Sequence, residues 1–414
     1  MPPPKHMLPV AARPPPSLWQ RVRAVLFFFI FILGCCMVNG AQFAFLLPLR
    51  IACNRAYKDG VRYTKGGFGC LLVLMCQWFA PSAIRVTFER EGMGGFDDPE
   101  TVVRRDAQGD VEYLDLPERF VLIGNHQVYL DWWYMWCLTY FIGPRGVHKY
   151  VYITLKKSLK WLPVVGWGMQ FFSFIFLARS WASDRAQLAA SLSRLGMEAE
   201  EEDNPLAFIL YPEGTLVSPQ TRPISKKFAD KLGISDLSHS LLPRSTGLLY
   251  SLRSLAPRIP SLKLLDVTIA YPGIPSMGYG QDYYTMRSVF LDGVFPPMIN
   301  MHIRMFDVAT EVPIGDLSST KAHVVPPSNG PDEGKTTVEV DIPEKEKEVF
   351  DAWLRLLWTE KDNSIDAYHR SGTVGLGSPP VDLQLRLKRR REYLDAFCFL
   401  LPAGVGYLLG KARA

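Results

Sequence analysis

The sequence predicts an α/β protein, a sheet whose strands alternate with helices. Three observations carry this. Four short apolar, β-rich runs each stop at a turn: "RFVLIGNH", "FFSFIFLARSW", "LAFILYPEGT" and "LLDVTIAYPG". Helical patterns lie between them, such as "DRAQLAASLSRLGMEAEEED", and this alternation is the mark of an α/β sheet. The 414 residues are 48% hydrophobic and 12% aromatic, enough to bury a sizeable core and too apolar for a disordered chain. The formal net charge of +5 suits an anionic membrane surface or a phosphate-bearing substrate. It is too small and diffuse to argue for nucleic acid.

Residues 1–23 form a basic, Pro-rich tail, and residues 24–85 read as a membrane or interfacial helical pair. The stretch "AVLFFFIFILGCCMVNGAQFAFLLPL", between Arg23 and Arg50, carries no charge over 26 residues, long enough to cross a bilayer. A signal peptide is the alternative, but the region before it is long and the apolar run is extended for one. The second uncharged run, "GGFGCLLVLMCQWFAPSAI", is marginal in length and glycine-rich. An interfacial or re-entrant segment fits it as well as a span does. Arg50, Arg55, Lys58, Arg62 and Lys65 make the connecting loop basic like the tail, so charge does not fix an orientation.

The globular part is expected over residues 86–362. Its stretch from Glu311 to Lys347 is polar around "PPSNGPDEGK" and reads as a loop or insertion. In the helix pattern that follows, Val349, Phe350, Trp353, Leu354 and Leu357 fall on one face, read as core packing. Residues 363–392 are expected to be a basic linker ending in the cluster Lys388 to Arg391. Residues 393–414 are expected to be an apolar, membrane-associated tail, or else a helix packed on the domain. Seven cysteines without a CxxC pair read as reduced packing residues, neither a disulfide framework nor a zinc site.

Chemistry concentrates where the apolar runs end. His126 and Asp131 are five apart in "NHQVYLD". In a helix such residues diverge by about 140°, and in a strand they face opposite sides. They meet only if the chain turns between them, which the preceding glycine and asparagine and the following Trp-rich helix pattern allow. "HIRMFD" repeats the spacing with His302 and Asp307 inside an alternating, strand-like run, where the pair would point apart. Arg179 follows four apolar residues and suits a phosphate. Glu213 and Gly214 close the run "FILYPEG", where glycine permits close backbone approach. In α/β sheets ligand groups collect past the carboxyl ends of strands, and His126, Arg179 and Glu213 all sit at such ends. The aromatic run "WWYMWCLTYFIG" reads either as the lining of an apolar groove or as a buried core helix. Lys156, Lys157 and Lys160 read either as solvated surface charges or as a guide for anionic phosphates.

"NHQVYLD", "FIFLARSW", "FILYPEGT" and "LLDVTIAYPG" resemble the four ordered motifs of the glycerolipid acyltransferases typified by 1-acylglycerol-3-phosphate acyltransferase. "LKKSLKWLPVVGWGMQFFSFIFL", "LLPRSTGLL" and "WLRLLWTEKD" are similar to the lysocardiolipin and lysophosphatidylinositol acyltransferase branch. The resemblance implies a mixed sheet flanked by helices, with N-terminal membrane helices and a C-terminal apolar anchor. It implies acyl transfer from acyl-CoA, as co-substrate, to the free hydroxyl of a lysophospholipid, with no cofactor, no metal and membrane lipids as partners. His126 would be the general base and Asp131 its orienting carboxylate. Arg179, Glu213, Gly214 and Thr215 would bind substrate, with Glu213 contacting a glycerol oxygen. Backbone N–H groups near Gly214 or at the helix start would stabilise the oxyanion. Many members read EGTR at the third motif; here Leu216 stands in place of the arginine, and Arg244 is the candidate for that second phosphate contact. The endoplasmic reticulum membrane is the implied location, with mitochondrial membranes as the alternative. A non-catalytic lipid-binding scaffold and an acyl-CoA hydrolase are the competing readings. No G-x-S-x-G elbow supports a serine hydrolase.

Overall fold

The computed structural model describes residues 3–178, 181–317, 321–323, 337–339, 342–375 and 378–399. The chain enters through α1 (Leu18–Ala41), opened by a capping box in which Ser17 and Gln20 exchange side-chain and backbone hydrogen bonds. A π-turn at Gln42–Leu46 leads into α2 (Leu47–Ala52) and then α3 (Asn54–Phe79). Strands and helices follow in the order β1 (Ala83–Phe88), β2 (Val103–Arg105), β3 (Val111–Leu114), β4 (Arg119–Gly124), α4 (Asp131–Tyr140), β5 (Val151–Lys156), α5 (Val165–Phe171), β6 (Ile175–Leu177), α6 (Trp181–Glu201) and β7 (Leu206–Leu210). Then come α7 (Arg222–Leu232), α8 (Ser245–Leu255), β8 (Lys263–Ala270), β9 (Met298–Asp307), β10 (Lys321–His323), β11 (Thr337–Glu339), α9 (Glu344–Ser371), β12 (Val381–Gln384) and α10 (Arg390–Asp395).

Eight strands form one mixed sheet in the order β12-β1-β9-β8-β4-β7-β5-β6. From β8 to β6 all neighbours are parallel; β9 runs antiparallel to β8, and β12 antiparallel to β1. The parallel strands are covered on both faces, which is why they read as unbroken apolar runs. In β4 the alternation is visible. Phe120 and Leu122 join the core built with α1, α3 and α4, whereas Val121 and Ile123 join the core built with α6, α8 and α9. All four strands expected at the motif runs are present, as β4, β6, β7 and β8.

Several expectations change. The second N-terminal run packs inside the protein: Leu71, Leu72, Val73, Leu74, Met75 and Cys76 in α3 are fully buried against the domain. Burial by the protein's own core replaces burial by lipid. Among the described residues, the continuous helical stretch Leu18–Ala52 is the one long and apolar enough to cross a membrane. Phe28, Phe29 and Ile51 stand exposed along it. The stretch expected as a basic linker holds the end of α9 and the edge strand β12, so the sheet continues past residue 362. Val349 lies exposed on α9, while Phe350, Leu354, Leu357 and Trp358 carry its buried face. The aromatic run is a core helix, with Trp133, Tyr134 and Trp136 in α4 almost wholly buried. In the basic cluster, the Lys388 ammonium lies over an aromatic ring, 4.3 Å from the centroid of Phe141. The anchor expected at 393–414 lies outside the described residues from position 400 onward.

Candidate active site

β4, β7, β5 and β6 are mutually parallel, and β8 is parallel to β4. Their carboxyl ends therefore open on one edge of the sheet, and the site lies there. At the end of β4, a Cβ on Gly124 would stand 2.4 Å from the Met135 methyl and 3.1 Å from the Val267 carbonyl oxygen, so a larger residue would have to displace the Met135 side chain. Asn125 is structural. Its amide donates to the Ile269 carbonyl at 2.9 Å and accepts from the Ile269 N–H at 2.7 Å, tying β4 to β8. The chain then turns, and Asp131 begins α4.

The turn brings His126 and Asp131 together: Nδ1 lies 2.8 Å from Oδ2. The same oxygen accepts the backbone N–H of Gln127 at 2.7 Å and of Val128 at 2.9 Å. The Tyr271 hydroxyl donates to Oδ1 at 2.5 Å. Asp131 is fully buried, and these donors make its burial tolerable. An acceptor at Nδ1 places the imidazole proton there and leaves the lone pair on Nε2. The ring stacks on Tyr211, with centroids 4.6 Å apart, and its side chain keeps 20% exposure.

Glu213 is not placed to touch a substrate directly. Its carboxyl is buried, and both oxygens are engaged: Oε1 accepts the His126 N–H at 3.2 Å and the Trp358 indole N–H at 3.3 Å, Oε2 the Leu241 N–H at 3.2 Å. Burial pushes its pKa up to about 8. Glu213 thus holds the backbone of the histidine instead of a glycerol oxygen. Gly214 has φ +71°, the left-handed region glycine tolerates. Its N–H donates to the Tyr211 carbonyl at 2.9 Å, which removes it as an oxyanion donor. The N–H groups of Gln127 and Val128 are likewise committed to Asp131. Thr215 follows, half-buried, and Leu216 is buried. The Val217 N–H bonds the His126 carbonyl at 3.1 Å, closing this loop onto the first.

Arg244 stands exposed beside Gly214, its Nε 3.9 Å from where a Cβ on that glycine would sit. The segment leading to it is held from both sides. The Arg222 guanidinium donates to the carbonyls of Leu237, Ser238 and Ser240 at 2.7–2.9 Å. Asp362 accepts the N–H groups of Ser238, His239 and Ser240, each at 2.8 Å. Arg179 lies outside the described residues. The structure therefore brings His126, Asp131, Glu213, Gly214, Thr215 and Arg244 to one edge. Sequence reasoning missed Tyr271, Arg222, Trp358 and Asp362. Tyr271 closes the fourth motif run, so its place at a strand end was a usable signal. Trp358 and Asp362 come from a helix read as core packing and, in "WLRLLWTEKD", as similar to the family branch, with no site role given to either residue.

His302 lies in β9, nearly buried, with Nδ1 3.0 Å from the Thr87 hydroxyl and Nε2 3.2 Å from Glu89. A cavity of 210 Å³ adjoins the site through Gln127 and Val217. A larger one, 960 Å³, lies between α3, β3 and the 386–391 stretch. None of the site residues lines it, and the chemistry does not follow cavity size.

A buried carboxylate that orients an imidazole, with no partner on the other ring nitrogen among the described residues, is an arrangement that general-base catalysis uses. The comparisons narrow that class. A family model described as Acyltransferase matches residues 108–271. The chain is 32% identical over 375 residues to the 2-acyl-1-lysophosphatidylinositol acyltransferase of Saccharomyces cerevisiae, covering 83% of each chain. It is 35% identical over 269 residues to the lysocardiolipin acyltransferase 1 of Danio rerio, covering 65% of this chain and 57% of that one. A solved structure, the 1-acyl-sn-glycerophosphate acyltransferase PlsC of Thermotoga maritima, aligns at 14% identity over 82% of this chain and 98% of that one, with a TM-score of 0.36. The chain belongs to the glycerolipid acyltransferase family, in its lysophosphatidylinositol and lysocardiolipin acyltransferase branch, and is an acyltransferase.

Proposed function

We propose that the chain transfers a fatty acyl group from acyl-CoA to the free glycerol hydroxyl of a lysophospholipid. The observation that carries this is the His126–Asp131 contact of 2.8 Å at a sheet edge, with Nε2 left open. A glycerol hydroxyl is a poor nucleophile at neutral pH. Nε2 of His126 takes its proton as the oxygen attacks the thioester carbonyl. Asp131 holds the tautomer and stabilises the imidazolium. When the tetrahedral intermediate collapses, the C–S bond breaks and the imidazolium returns the proton to the departing CoA sulfur. No enzyme nucleophile takes part. Arg179 grips the acceptor phosphate, and Arg244, at the end of its tethered segment, is the candidate for the second phosphate contact. The names of the relatives support a lysophospholipid acceptor, with lysophosphatidylinositol first to be assayed and lysocardiolipin and lysophosphatidate beside it. Leu18–Ala52, with its exposed aromatic side chains, supports attachment to a membrane, and the endoplasmic reticulum is the proposed one. The test is CoA release by membranes carrying the protein, with and without added lysophospholipid. Release that requires the acceptor, and is lost in His126→Ala, is expected. Release without acceptor would make the protein a hydrolase, and none under either condition a scaffold.

A further inference from the structure

The segment after β5 is built tightly yet exposes large apolar side chains. Trp161 is 73% exposed, and Leu162 and Trp167 are each 45% exposed. The loop beneath them is ordered by its own contacts. The Gly166 N–H donates to the Leu162 carbonyl at 2.9 Å, and the Gln170 amide to the Lys160 carbonyl at 3.1 Å. A Cβ on Gly166 would stand 2.6 Å from the Lys160 carbonyl oxygen. Val164 holds φ 65°, a conformation a β-branched residue rarely adopts. The tryptophans are thus held outward by a fixed turn.

Charge and continuity identify what they face. Lys156 and Lys157 are exposed, and the Lys160 ammonium lies 5.6 Å from the centroid of the Trp161 ring. None of the three pairs with a carboxylate among the described residues. The loop is also joined to the apolar helical stretch Leu18–Ala52. The Asn39 amide donates to the Val164 carbonyl at 2.7 Å. The Phe43 ring meets Trp167 and Phe171 edge-on, at 6.3 and 5.2 Å between centroids. Phe43, Leu47 and Ile51 extend the exposed apolar surface from there. Tryptophans beside unpaired lysines match the headgroup layer of a bilayer, where an indole body is buried and an ammonium meets phosphate.

We propose that residues 156–167 form a second membrane contact, docking on an anionic bilayer surface beside Leu18–Ala52. Trp161, Leu162 and Trp167 enter the headgroup layer, and Lys156, Lys157 and Lys160 meet lipid phosphates. This rests on the membrane reading of Leu18–Ala52. β5 ends on the same sheet edge as β4 and β7, so the contact sets the opening of the site against the lipid that supplies its acceptor.

The full chain is mixed with phosphatidylcholine vesicles, with or without one part in three phosphatidylserine. Flotation reports attachment, and amide hydrogen exchange reports residues 157–168. Each lysine at an anionic surface is worth about fivefold in partitioning. Phosphatidylserine should therefore slow exchange in this segment by up to about a hundredfold at low salt. Lys156→Glu/Lys157→Glu/Lys160→Glu should abolish the slowing, and Trp161→Ala/Trp167→Ala should weaken it, while both variants still float. Wild-type protein that floats with unchanged exchange overturns the proposal alone. Wild-type protein that does not float overturns the membrane reading beneath it. Turnover in neutral detergent should be equal for wild type and the lysine variant. A raised KM for acyl-CoA there would assign the lysines to the donor's phosphates and overturn the lipid contact.

Discussion

Two stretches place an aspartate five residues after a histidine, and only one makes a pair. At the β4–α4 corner the chain reverses, and His126 meets Asp131 at 2.8 Å. Along β9 the chain runs straight: His302 turns to Thr87 and Glu89, while Asp307 bonds the Lys263 ammonium at 2.6 Å on another side. The residue types and the interval are the same. The difference lies in the backbone and in the donors collected around the carboxylate. Asp131 draws two N–H groups from its own turn and a hydroxyl from β8's end, so its geometry is fixed before any substrate arrives. The pair on β9 ties strands together and leaves neither histidine nitrogen open.

The comparison is sharpened most by Asp131→Asn. The wrong group then faces Nδ1 and three other donors, and acyl transfer should fall by about 10³-fold. Rates in detergent, at matched circular dichroism, check it. Next is Tyr271→Phe, which removes one donor from a buried carboxylate. A hydrogen bond to a charged group is worth about 1.5–3 kcal/mol, so kcat should fall about tenfold, with KM for the acceptor unchanged. Arg244→Ala should raise the KM for the acceptor about tenfold, with the KM for the thioester unchanged, as loss of a charge-assisted phosphate contact predicts.

Glu213 gives a smaller effect with a defined sign. Its pKa is raised by burial from 4.5 to about 8, so the folded chain keeps a proton that the unfolded chain releases. The stability this contributes is present in full below about pH 4.5 and is lost as pH rises towards 8. Glu213→Gln should flatten that part of the stability–pH curve, as urea midpoints at pH 5 and pH 8 would reveal.

The sequence made much of this legible because the strand ends are local features. The apolar runs of β4, β7 and β8 stop at His126, Glu213 and Tyr271, and alternation with helices places such ends on one edge. What stayed hidden depends on distant partners. Trp358 reaches Glu213 across 145 positions, and no local pattern marks it apart from its neighbours on the buried face of α9. The apolar run of α3 looked suited to lipid because composition does not distinguish a bilayer from a protein core. β12 was missed because four residues of alternating burial leave a weak signal.

The most direct measurement sets the two histidines side by side: the rate of lysophospholipid-dependent CoA release by His126→Ala and by His302→Ala, each shown to be folded. The corner account predicts a loss of about 10²–10⁴-fold for the first and, for the second, a rate within about twofold of wild type with lowered thermal stability. Comparable activity in the two variants would contradict it.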